Sequence, residues 1–400
     1  MIQTLNVYLN QFFSKQLVGK LALKERKIYF EYDSEFLDEG IELSPYMLPA
    51  KKQLQLCDDA VFGGLFGVFA DSLPDGWGRL LLGRHLVSKG VNFKDISELE
   101  RLCYVGEYGM GALTYETHLG DEQKLQDSII LNDLAQSSMR ILGDDEDSNL
   151  ETLLAIEGSS GGARPKIMVQ IDNKNNITHS NQKLKEGYEH YIVKFPSKND
   201  PYDVGKLEYI YSKMARDAKI DIPQTKLIED AKEHYFAIKR FDRLQDRRVH
   251  IHSVAGLVHS DFRVPALDYD DLLKLTFALT KDFSEVVKMY RLAVFNLFVH
   301  NRDDHGKNFS FLLDENKNWK LSPAYDLTYS SGPGGEHSTT YLGEGRNPTI
   351  LHLEKLAKKH SIKHYKEVID DVKDAVSRFE IYAKELDMPK KEICNMKKII

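Results

Sequence analysis

The residues best suited to chemistry lie in one polar run, residues 300–310, between an apolar helix pattern and an apolar strand pattern. The run contains Asp303 and Asn308, and Asp326 follows a second short strand pattern. Pairing of the two strands would bring two carboxylates and one amide together. Phosphoryl transfer needs such a set, because one carboxylate can accept the proton of a hydroxyl nucleophile while hard oxygen ligands bind Mg²⁺. The alternative is a loop whose polar side chains only satisfy helix ends, the usual role of Asn and Asp clusters.

A phosphate-transfer site also needs a lysine and a loop that can approach phosphate oxygens. Residues 156–166 include Gly161 and Gly162, whose lack of side chains lets backbone amides come close to an anion. The run lacks the Gly-Lys-Ser/Thr ending of a Walker A motif, and a flexible turn is the alternative. Lys194 lies in an otherwise apolar strand pattern, and Glu208 follows in a helix pattern. Protein kinases pair a strand lysine with a helix glutamate to hold phosphates, whereas the simpler interpretation is an isolated salt bridge.

Two neighbouring acids, Asp303 and Asp304, compete for the role of general base, since only one can lie within hydrogen-bond reach of a substrate hydroxyl. In the His-Arg-Asp-x-x-x-x-Asn motif of eukaryotic kinases, four residues separate the base from the metal-binding amide. Asp303 and Asn308 repeat that interval, whereas Asp304 leaves only three residues before the amide. The spacing therefore favours Asp303.

Strands and one helix precede these residues. Alternating apolar and polar residues predict N-terminal strands at residues 5–8 and 27–32. Three further β-rich segments lie at 166–171, 189–195 and 234–241. A helix pattern at 204–219 separates the last two, and strands with one embedded helix suit a mixed α+β lobe.

Helices dominate after residue 248. Residues 270–278 and 283–300 are rich in apolar residues, and the second run is apolar around much of its circumference, as a buried helix should be. Residues 350–400 are also helical, with a break at Pro389.

The predicted organisation has three units. Residues 1–147 form an N-terminal subdomain with a connecting segment, and an acidic tract marks its end. Residues 148–245 form a nucleotide-binding lobe, and residues 246–400 form a helical catalytic lobe.

Composition excludes several classes of protein. The 400 residues are 42% hydrophobic and carry 54 Lys and Arg against 61 Asp and Glu, a formal net charge of −7. The negative charge argues against autonomous nucleic-acid binding. Three widely spaced cysteines argue against a disulfide-stapled secreted fold and against a structural zinc cluster. The N-terminus lacks a signal-peptide layout and nothing approaches ~20 consecutive apolar residues, so we expect a cytoplasmic protein without membrane contact.

Two other features have ordinary interpretations. His250 and His252 share one strand face, but no third ligand is obvious, so a polar strand face is favoured over a metal site. Residues 332–337 follow Asp326 and suit either a substrate or activation loop or a flexible turn.

Six motifs, in this order, resemble the HipA-like serine/threonine kinases of bacterial toxin–antitoxin systems. They are Asp-Ser-Leu-Pro-Asp-Gly-Trp-Gly-Arg at 71–79, Met-Gly-Ala-Leu at 110–113, Gly-Gly-Ala-Arg-Pro-Lys at 161–166, Phe-Ala-Ile-Lys-Arg-Phe-Asp-Arg at 236–243, Asn-Arg-Asp-Asp-His-Gly-Lys-Asn-Phe-Ser at 301–310 and Pro-Ala-Tyr-Asp at 323–326. The resemblance runs nearly end to end. It implies an α+β, bilobal protein-kinase-like fold with an N-terminal β-containing subdomain and a mostly helical C-terminal lobe.

The resemblance also implies a role for each site residue. Asp303 would be the catalytic aspartate, and Lys307 would neutralise charge on the transferred group. Asn308 and Asp326 would hold Mg²⁺. The ATP site would comprise Ser160, Gly161, Gly162, Lys166, Lys194, Glu208, Lys239 and Phe241.

Members of that family phosphorylate a serine of their own phosphate loop and are silenced by it. Ser159 is the matching position here, and Ser160 is the adjacent alternative. A phosphoserine carries a charge of about −1.5 to −2, so it would compete with the phosphates of ATP for the same phosphate-binding loop.

Further implications concern partners. The resemblance implies a toxin that phosphorylates a translation component, such as an aminoacyl-tRNA synthetase, and a HipB-like helix-turn-helix antitoxin. DNA would be contacted only through the antitoxin. Two alternatives stay open at the level of sequence: a phosphotransferase acting on a small molecule, and a non-enzymatic regulatory or DNA-complex scaffold.

Overall fold

The computed structural model describes residues 2–11, 14–116, 119, 129–159, 161–181, 183–197, 200 and 202–400. Ser160, which the sequence places in the ATP site, lies outside these residues. Within the described ranges, no helix is both long and apolar enough to cross a bilayer.

Among its described residues, the N-terminal unit is an antiparallel sheet with strand order β4-β3-β2-β1-β5, accompanied by α-helices. Its first strand alternates buried and accessible positions, with Leu5, Val7 and Leu9 inside, as expected for a strand with one covered face. Both strands predicted in this unit are confirmed. The elements are β1 (Thr4–Gln11), β2 (Ser14–Lys24), β3 (Lys27–Tyr32), α1 (Ser34–Asp38), β4 (Gln55–Leu56), α2 (Gly67–Ala70), α3 (Gly76–Ser88), α4 (Glu98–Val105) and β5 (Leu113–Glu116).

The middle part, called the sheet lobe, contains a second antiparallel sheet with strand order β7-β6-β8-β10-β9. Its core also includes Trp77 and Leu81 of α3, so the N-terminal unit contributes a helix to this lobe. The three predicted strands and the predicted helix are all present, within a few residues of the expected bounds. The elements are α5 (Leu131–Leu142), α6 (Leu150–Glu157), β6 (Lys166–Asp172), β7 (Ile177–His179), β8 (Tyr188–Lys194), α7 (Val204–Asp217), β9 (Thr225–Asp230) and β10 (Glu233–Lys239).

The C-terminal part, called the helical lobe, surrounds a three-stranded sheet with order β13-β15-β16. It shares one continuous hydrophobic core with the N-terminal sheet. The predicted helices are confirmed, and Pro389 precedes the last of them. The elements are β11 (Arg243–Leu244), β12 (Arg247–Arg248), β13 (His250–Ser253), α8 (Val254–Leu257), β14 (Leu267–Asp268), α9 (Tyr269–Thr280), α10 (Phe283–Phe298), β15 (Ser310–Leu313), β16 (Trp319–Leu321), β17 (Thr339–Thr340), α11 (Ile350–Lys359), α12 (Tyr365–Ser377), α13 (Phe379–Glu385) and α14 (Lys390–Met396). The division of the chain at residues 147 and 245 stays a prediction.

The two histidines of β13 are buried between the N-terminal unit and the helical lobe. The Nε2 atom of His252 lies 2.9 Å from Ser44 Oγ, and its Nδ1 atom lies 2.7 Å from Asp71 Oδ2. The Nε2 atom of His250 lies 3.2 Å from the carbonyl oxygen of Leu43. The strand face is polar, as expected, but the N-terminal unit covers it and supplies its hydrogen-bond partners.

A buried ion cluster joins the N-terminal unit to the end of the sheet lobe. The side chain of Asp242 has no exposed surface, and its oxygens accept bonds from Arg240 Nε at 2.9 Å and Arg243 Nη1 at 2.8 Å. The backbone N–H of Gly111 donates to the same carboxylate at 2.8 Å. Arg243 in turn donates to the carbonyl oxygens of Gly109 and Gly111. Backbone groups of the N-terminal unit therefore complete the cluster.

Close approach of two short helices also fixes the N-terminal unit. Gly67→Ala is expected to lower the free energy of unfolding by about 1–3 kcal/mol, the usual cost of overpacking. A Cβ atom on Gly67 in α2 would lie 2.0 Å from the carbonyl oxygen of Gly256 in α8. Thermal unfolding measures the change. The matched control is Gly83→Ala in α3, where the new Cβ lies 3.8 Å from its nearest neighbour, Phe93. Equal Tm values for the two variants would contradict the prediction.

Candidate active site

A cleft of about 1300 Å³ lies where the N-terminal unit, the sheet lobe and the helical lobe meet. Every predicted site residue that the structure describes lines this cleft. They are Ser159, Gly161, Gly162, Lys166, Lys194, Glu208, Lys239, Phe241, Asp303, Lys307, Asn308 and Asp326. Residues far apart in the sequence thus surround one space.

Lys194 ends β8 and binds two carboxylates. Its Nζ atom lies 2.6 Å from Glu208 Oε2 on α7, the pairing that the sequence suggested, and it also binds Asp326 Oδ1 from the helical lobe. Burial alone would lower the pKa of Lys194, but Asp326 and Glu208 raise it above the ordinary value. Lys194 therefore stays charged and links the two lobes.

Asp326 and Asn308 provide oxygen atoms in the same cleft. Burial alone would raise the pKa of Asp326, but the ammonium groups of Lys194 and Lys166 lower it below the ordinary value. One ionised carboxylate and one amide suit Mg²⁺, which usually takes further ligands from phosphates and water. Over the described part of the chain, no group of three His, Cys, Asp or Glu side chains could hold a metal ion.

The two neighbouring acids Asp303 and Asp304 have opposite environments. The side chain of Asp304 has no exposed surface, and its carboxylate contacts Tyr269 Oη at 2.8 Å, His337 Nδ1 at 2.9 Å and Thr339 N at 3.1 Å. The side chain of Asp303 is 60% exposed and lines the cleft. Only Asp303 is accessible to a substrate.

The backbone carbonyl group of Asp303 is held by a hydrogen bond from a neighbouring side chain. The side-chain amide of Asn308 donates to the carbonyl oxygen of Asp303 at 2.7 Å, so the proposed base and the proposed metal ligand are linked directly. Partial desolvation within the cleft, together with repulsion from Asp326 and Asp304, raises the pKa of Asp303. The positive charges of His305 and Lys194 oppose the shift.

The loop between α6 and β6 enters the cleft with Ser159 turned inward. Ser159 is buried, has a φ of 55°, and its N–H donates to Glu157 Oε2 at 2.9 Å. Its hydroxyl has no hydrogen-bond partner among the described residues, and an added Cβ on Gly109 of the N-terminal unit would lie 3.3 Å from it. In this conformation the N-terminal unit covers the hydroxyl.

Lys166, at the start of β6, supports the same loop. It is buried, its ammonium donates to the carbonyl oxygen of Gly161, and an added Cβ on Gly162 would lie 2.5 Å from its Nζ atom. Burial lowers the pKa of Lys166 below the ordinary lysine value. The absence of a side chain on Gly162 therefore lets the ammonium approach the loop backbone.

The end of β10 forms a wall of the cleft near Phe241. The N–H of Lys239 donates to the carbonyl oxygen of Gln224 at 2.9 Å, and the N–H of Arg240 donates to that of His190 at 2.8 Å. Sheet pairing therefore occupies both amides. The ring of Phe241 lies 5.6 Å from that of Tyr325 and faces the cleft together with other apolar side chains.

Residues 332–337 are anchored beside residues 302–304. Nη1 of Arg302 donates to the carbonyl oxygen of Gly335 at 2.7 Å, and the His337 ring contacts Asp304. Gly332 lacks room for a side chain, since a Cβ would lie 2.0 Å from the carbonyl oxygen of Glu336. These contacts hold the segment against the site and do not favour a bare flexible turn.

Asp75 is a residue of the cleft that the sequence patterns do not identify. This acid belongs to the Leu-Pro-Asp-Gly turn before α3, and its Oδ2 atom lies 2.9 Å from Lys307 Nζ. Its Oδ1 atom accepts the N–H of Gly162. The available signal was that the turn belongs to a family motif. That motif does not indicate contact with Gly162 or Lys307, which lie 87 and 232 positions further along the chain.

Two family models match the chain. The HipA N-terminal domain matches residues 5–116, and the HipA-like C-terminal domain matches residues 158–379, more than half of the chain. The chain belongs to the HipA family.

Curated proteins related to this HipA-family chain include "Putative kinase Y4dM" of Sinorhizobium fredii, which is 28% identical over 208 residues. That alignment covers 47% of this chain and 50% of the relative. A protein of Haemophilus influenzae, named "Putative kinase", is 24% identical over 216 residues, which cover 50% of this chain and 58% of the relative. The chain thus spans about half the length of these curated relatives.

A solved structure shares the HipA fold. It is the Shewanella oneidensis MR-1 toxin–antitoxin complex of HipA, HipB and operator DNA, and the match has a TM-score of 0.71 at 16% identity. The match covers 98% of this chain and 94% of the other. The predicted α+β, bilobal kinase-like fold with an N-terminal β-containing subdomain is confirmed.

Proposed function

We propose that the protein is an ATP- and Mg²⁺-dependent protein serine/threonine kinase and the toxin of a toxin–antitoxin pair. The observation that carries this proposal is the convergence in one cleft of the Lys194–Glu208 pair with Asp303, Asn308 and Asp326. Phosphoryl transfer depends mainly on positioning and on stabilising charge, and this set supplies a base, a cation and metal ligands.

In the proposed mechanism, Asp303 accepts the proton of the substrate hydroxyl. The hydroxyl oxygen forms a bond to the γ-phosphorus, and the bond between that phosphorus and the ADP oxygen breaks. Lys194 and Lys307 place positive charge beside the phosphates. Mg²⁺, when bound with ATP, neutralises phosphate charge, and Asn308 and Asp326 would hold it.

The remaining residues would form the ATP site. The loop with Ser160, Gly161 and Gly162 would approach the phosphates, with Lys166 behind it. Because sheet pairing occupies the amides of Lys239 and Arg240, we assign the adenine contact to the backbone and ring of Phe241.

We propose a protein substrate from the translation machinery, with aminoacyl-tRNA synthetases as the first class to test, and a cytoplasmic location. The partner would be a HipB-like helix-turn-helix antitoxin that provides the contact with DNA. Support comes from the shared fold with a HipA crystallised with HipB and operator DNA. Phosphoproteomics after brief expression of the wild type, compared with Asp303→Asn, would identify the substrate.

Incubation with γ-labelled ATP and Mg²⁺ should label protein, including Ser159 of the chain itself. Ser159→Ala should abolish self-labelling but retain transfer to other proteins. The variant should fold, since the buried hydroxyl has no hydrogen-bond partner among the described residues to lose. Mass spectrometry and separation of protein from metabolites provide the measurements.

Ser377→Ala, a substitution at an exposed serine, is the matched control, and this variant should become labelled to the same extent as the wild type. Label found only in small hydroxyl compounds would contradict the protein-kinase proposal. Label persisting in Ser159→Ala would contradict the modification site.

A further inference from the structure

Asp75 lies at the N-cap position of α3, but its side chain makes no capping hydrogen bond there. An aspartate at this position normally accepts a hydrogen bond from the first turn of its helix and so stabilises that helix. Here the carboxylate instead points into the cleft, which Asp75 lines. The stabilisation available from a local cap is replaced by contacts with two other parts of the molecule.

The two carboxylate oxygens contact different lobes. Oδ1 accepts the N–H of Gly162, in the loop that leads into the sheet lobe, and Oδ2 lies 2.9 Å from Nζ of Lys307, in the helical lobe. The side chains of Asp75 and Lys307 are only 18% and 16% exposed, so the ion pair is largely shielded from water. An ion pair that is shielded in this way holds its geometry better than one on the open surface.

The turn around Asp75 is shaped for this approach. The N–H of Trp77 donates to the carbonyl oxygen of Gly162 at 3.1 Å, so Gly162 is held through both its N–H and its carbonyl group. Gly76 has a φ of 27°, and an added Cβ would lie 2.4 Å from the Cα atom of Ala163. Glycine at this position allows the two backbones to meet.

We infer that Asp75 is a positioning residue of the phosphate-transfer site, supplied by the N-terminal unit. It fixes the ammonium group of Lys307 relative to the loop containing Gly162. This inference rests on the proposed function, because Lys307 is assigned to charge on the transferred phosphoryl group. The catalytic site is therefore incomplete without the N-terminal unit.

Other contacts of Lys307 make the inference testable with one substitution. Its carbonyl oxygen accepts a bond from Tyr325 Oη at 2.7 Å, which holds the backbone independently of Asp75. Its Nζ atom also lies 4.5 Å from the ring centre of Phe262. Loss of the carboxylate charge should thus release the Lys307 side chain while the backbone of Lys307 stays in place.

The test uses the full chain and measures three quantities: kcat for phosphate transfer from ATP to the protein substrate, KM for ATP, and the Kd of ATP. Asp75→Asn keeps an oxygen for the N–H of Gly162 but loses the ion pair, so kcat should fall about tenfold or more while KM and Kd change less than about threefold. Asp75→Ala loses both contacts and should also weaken ATP binding. Asp75→Glu, which retains the charge, should recover part of kcat.

Asp58→Asn, the same change at an exposed acid of the N-terminal unit, is the control and should behave like the wild type. If the wild type transfers phosphate and Asp75→Asn equals it in kcat, this inference fails and the proposed function stands. Equal losses in Asp75→Asn and Asp75→Glu with lowered Tm also overturn it, since they indicate a structural role only. If the wild type transfers no phosphate, both fail.

Discussion

Asp303→Asn is expected to lower the rate of phosphate transfer by about 10²–10⁴-fold, the usual contribution of a general base, while the protein stays folded. The side chain is 60% exposed in the cleft, and its nearest ion-pair partner, His305 Nε2, is 3.9 Å away. An amide of the same shape cannot accept the hydroxyl proton, yet it leaves the bond between Asn308 and the Asp303 carbonyl oxygen intact. Rates of transfer from labelled ATP, together with Tm, measure both parts of the expectation.

Asp304→Asn is the matched variant for this experiment. It should lower the stability of the protein, whereas the folded fraction should still transfer phosphate. Its buried carboxylate contacts Tyr269, His337 and Thr339, and an amide in its place cannot accept from all three donors. The expected loss of stability is about 1–3 kcal/mol. The assignment of the base would be reversed if Asp304→Asn were folded but inactive while Asp303→Asn retained activity.

Asp242→Asn should destabilise the protein by about 3–5 kcal/mol, because it leaves two buried guanidinium groups without their counter-charge. The carboxylate binds Arg240, Arg243 and the N–H of Gly111, so the loss should also loosen the N-terminal unit. Urea unfolding measures the free energy, and limited proteolysis of the folded protein reports on the contact with the N-terminal unit.

The pH dependence of stability gives an independent check on Asp242. Burial alone would raise its pKa, but Arg240 and Arg243 lower it below the ordinary value of about 3.9. A lowered pKa in the folded state contributes stability that is fully present above the unfolded-state pKa and is lost as pH falls below it. Wild-type stability should therefore decline more steeply below about pH 4 than that of Asp242→Asn.

The control for the stability and proteolysis measurements is Asp246→Asn. Asp246 is an exposed acid nearby whose carboxylate accepts one hydrogen bond of 3.3 Å from the N–H of Leu184. It should unfold like the wild type. A comparable loss in this variant, or unchanged stability in Asp242→Asn, would show that the buried cluster does not hold the N-terminal unit.

The sequence predicts the parts of the site that depend on local order. Strand and helix periodicity locates β8 and α7. Lys194 lies at the end of β8 and Glu208 lies inside α7, which predicts that they pair, and their side chains are 2.6 Å apart. The interval from Asp303 to Asn308 likewise selects the acid that is exposed to the cleft. The patterns locate these side chains because each depends on residues that are close in sequence or on elements that follow one another. The role of Asp303 as the base stays a prediction.

The sequence does not predict contacts that depend on how distant units pack. Asp75 looks like an ordinary turn and cap residue, because nothing local shows that its carboxylate meets Lys307. The period-two pattern of His250 and His252 identifies one strand face but not the unit that buries it. The hydroxyl of Ser159 likewise lies beside another unit, where an added Cβ on Gly109 would come within 3.3 Å of it.

The buried junction at β13 also bears on how enzymes are identified from their structures. Ser44, His252 and Asp71 are connected hydroxyl to imidazole to carboxylate, which is the connectivity of a serine hydrolase triad. Ser44 and His252 have no solvent-accessible surface, and Asp71 also accepts the hydroxyl of Ser253. No scissile carbonyl can reach the serine oxygen. A search by triad geometry alone would therefore assign an esterase or peptidase activity to side chains that only hold two units together.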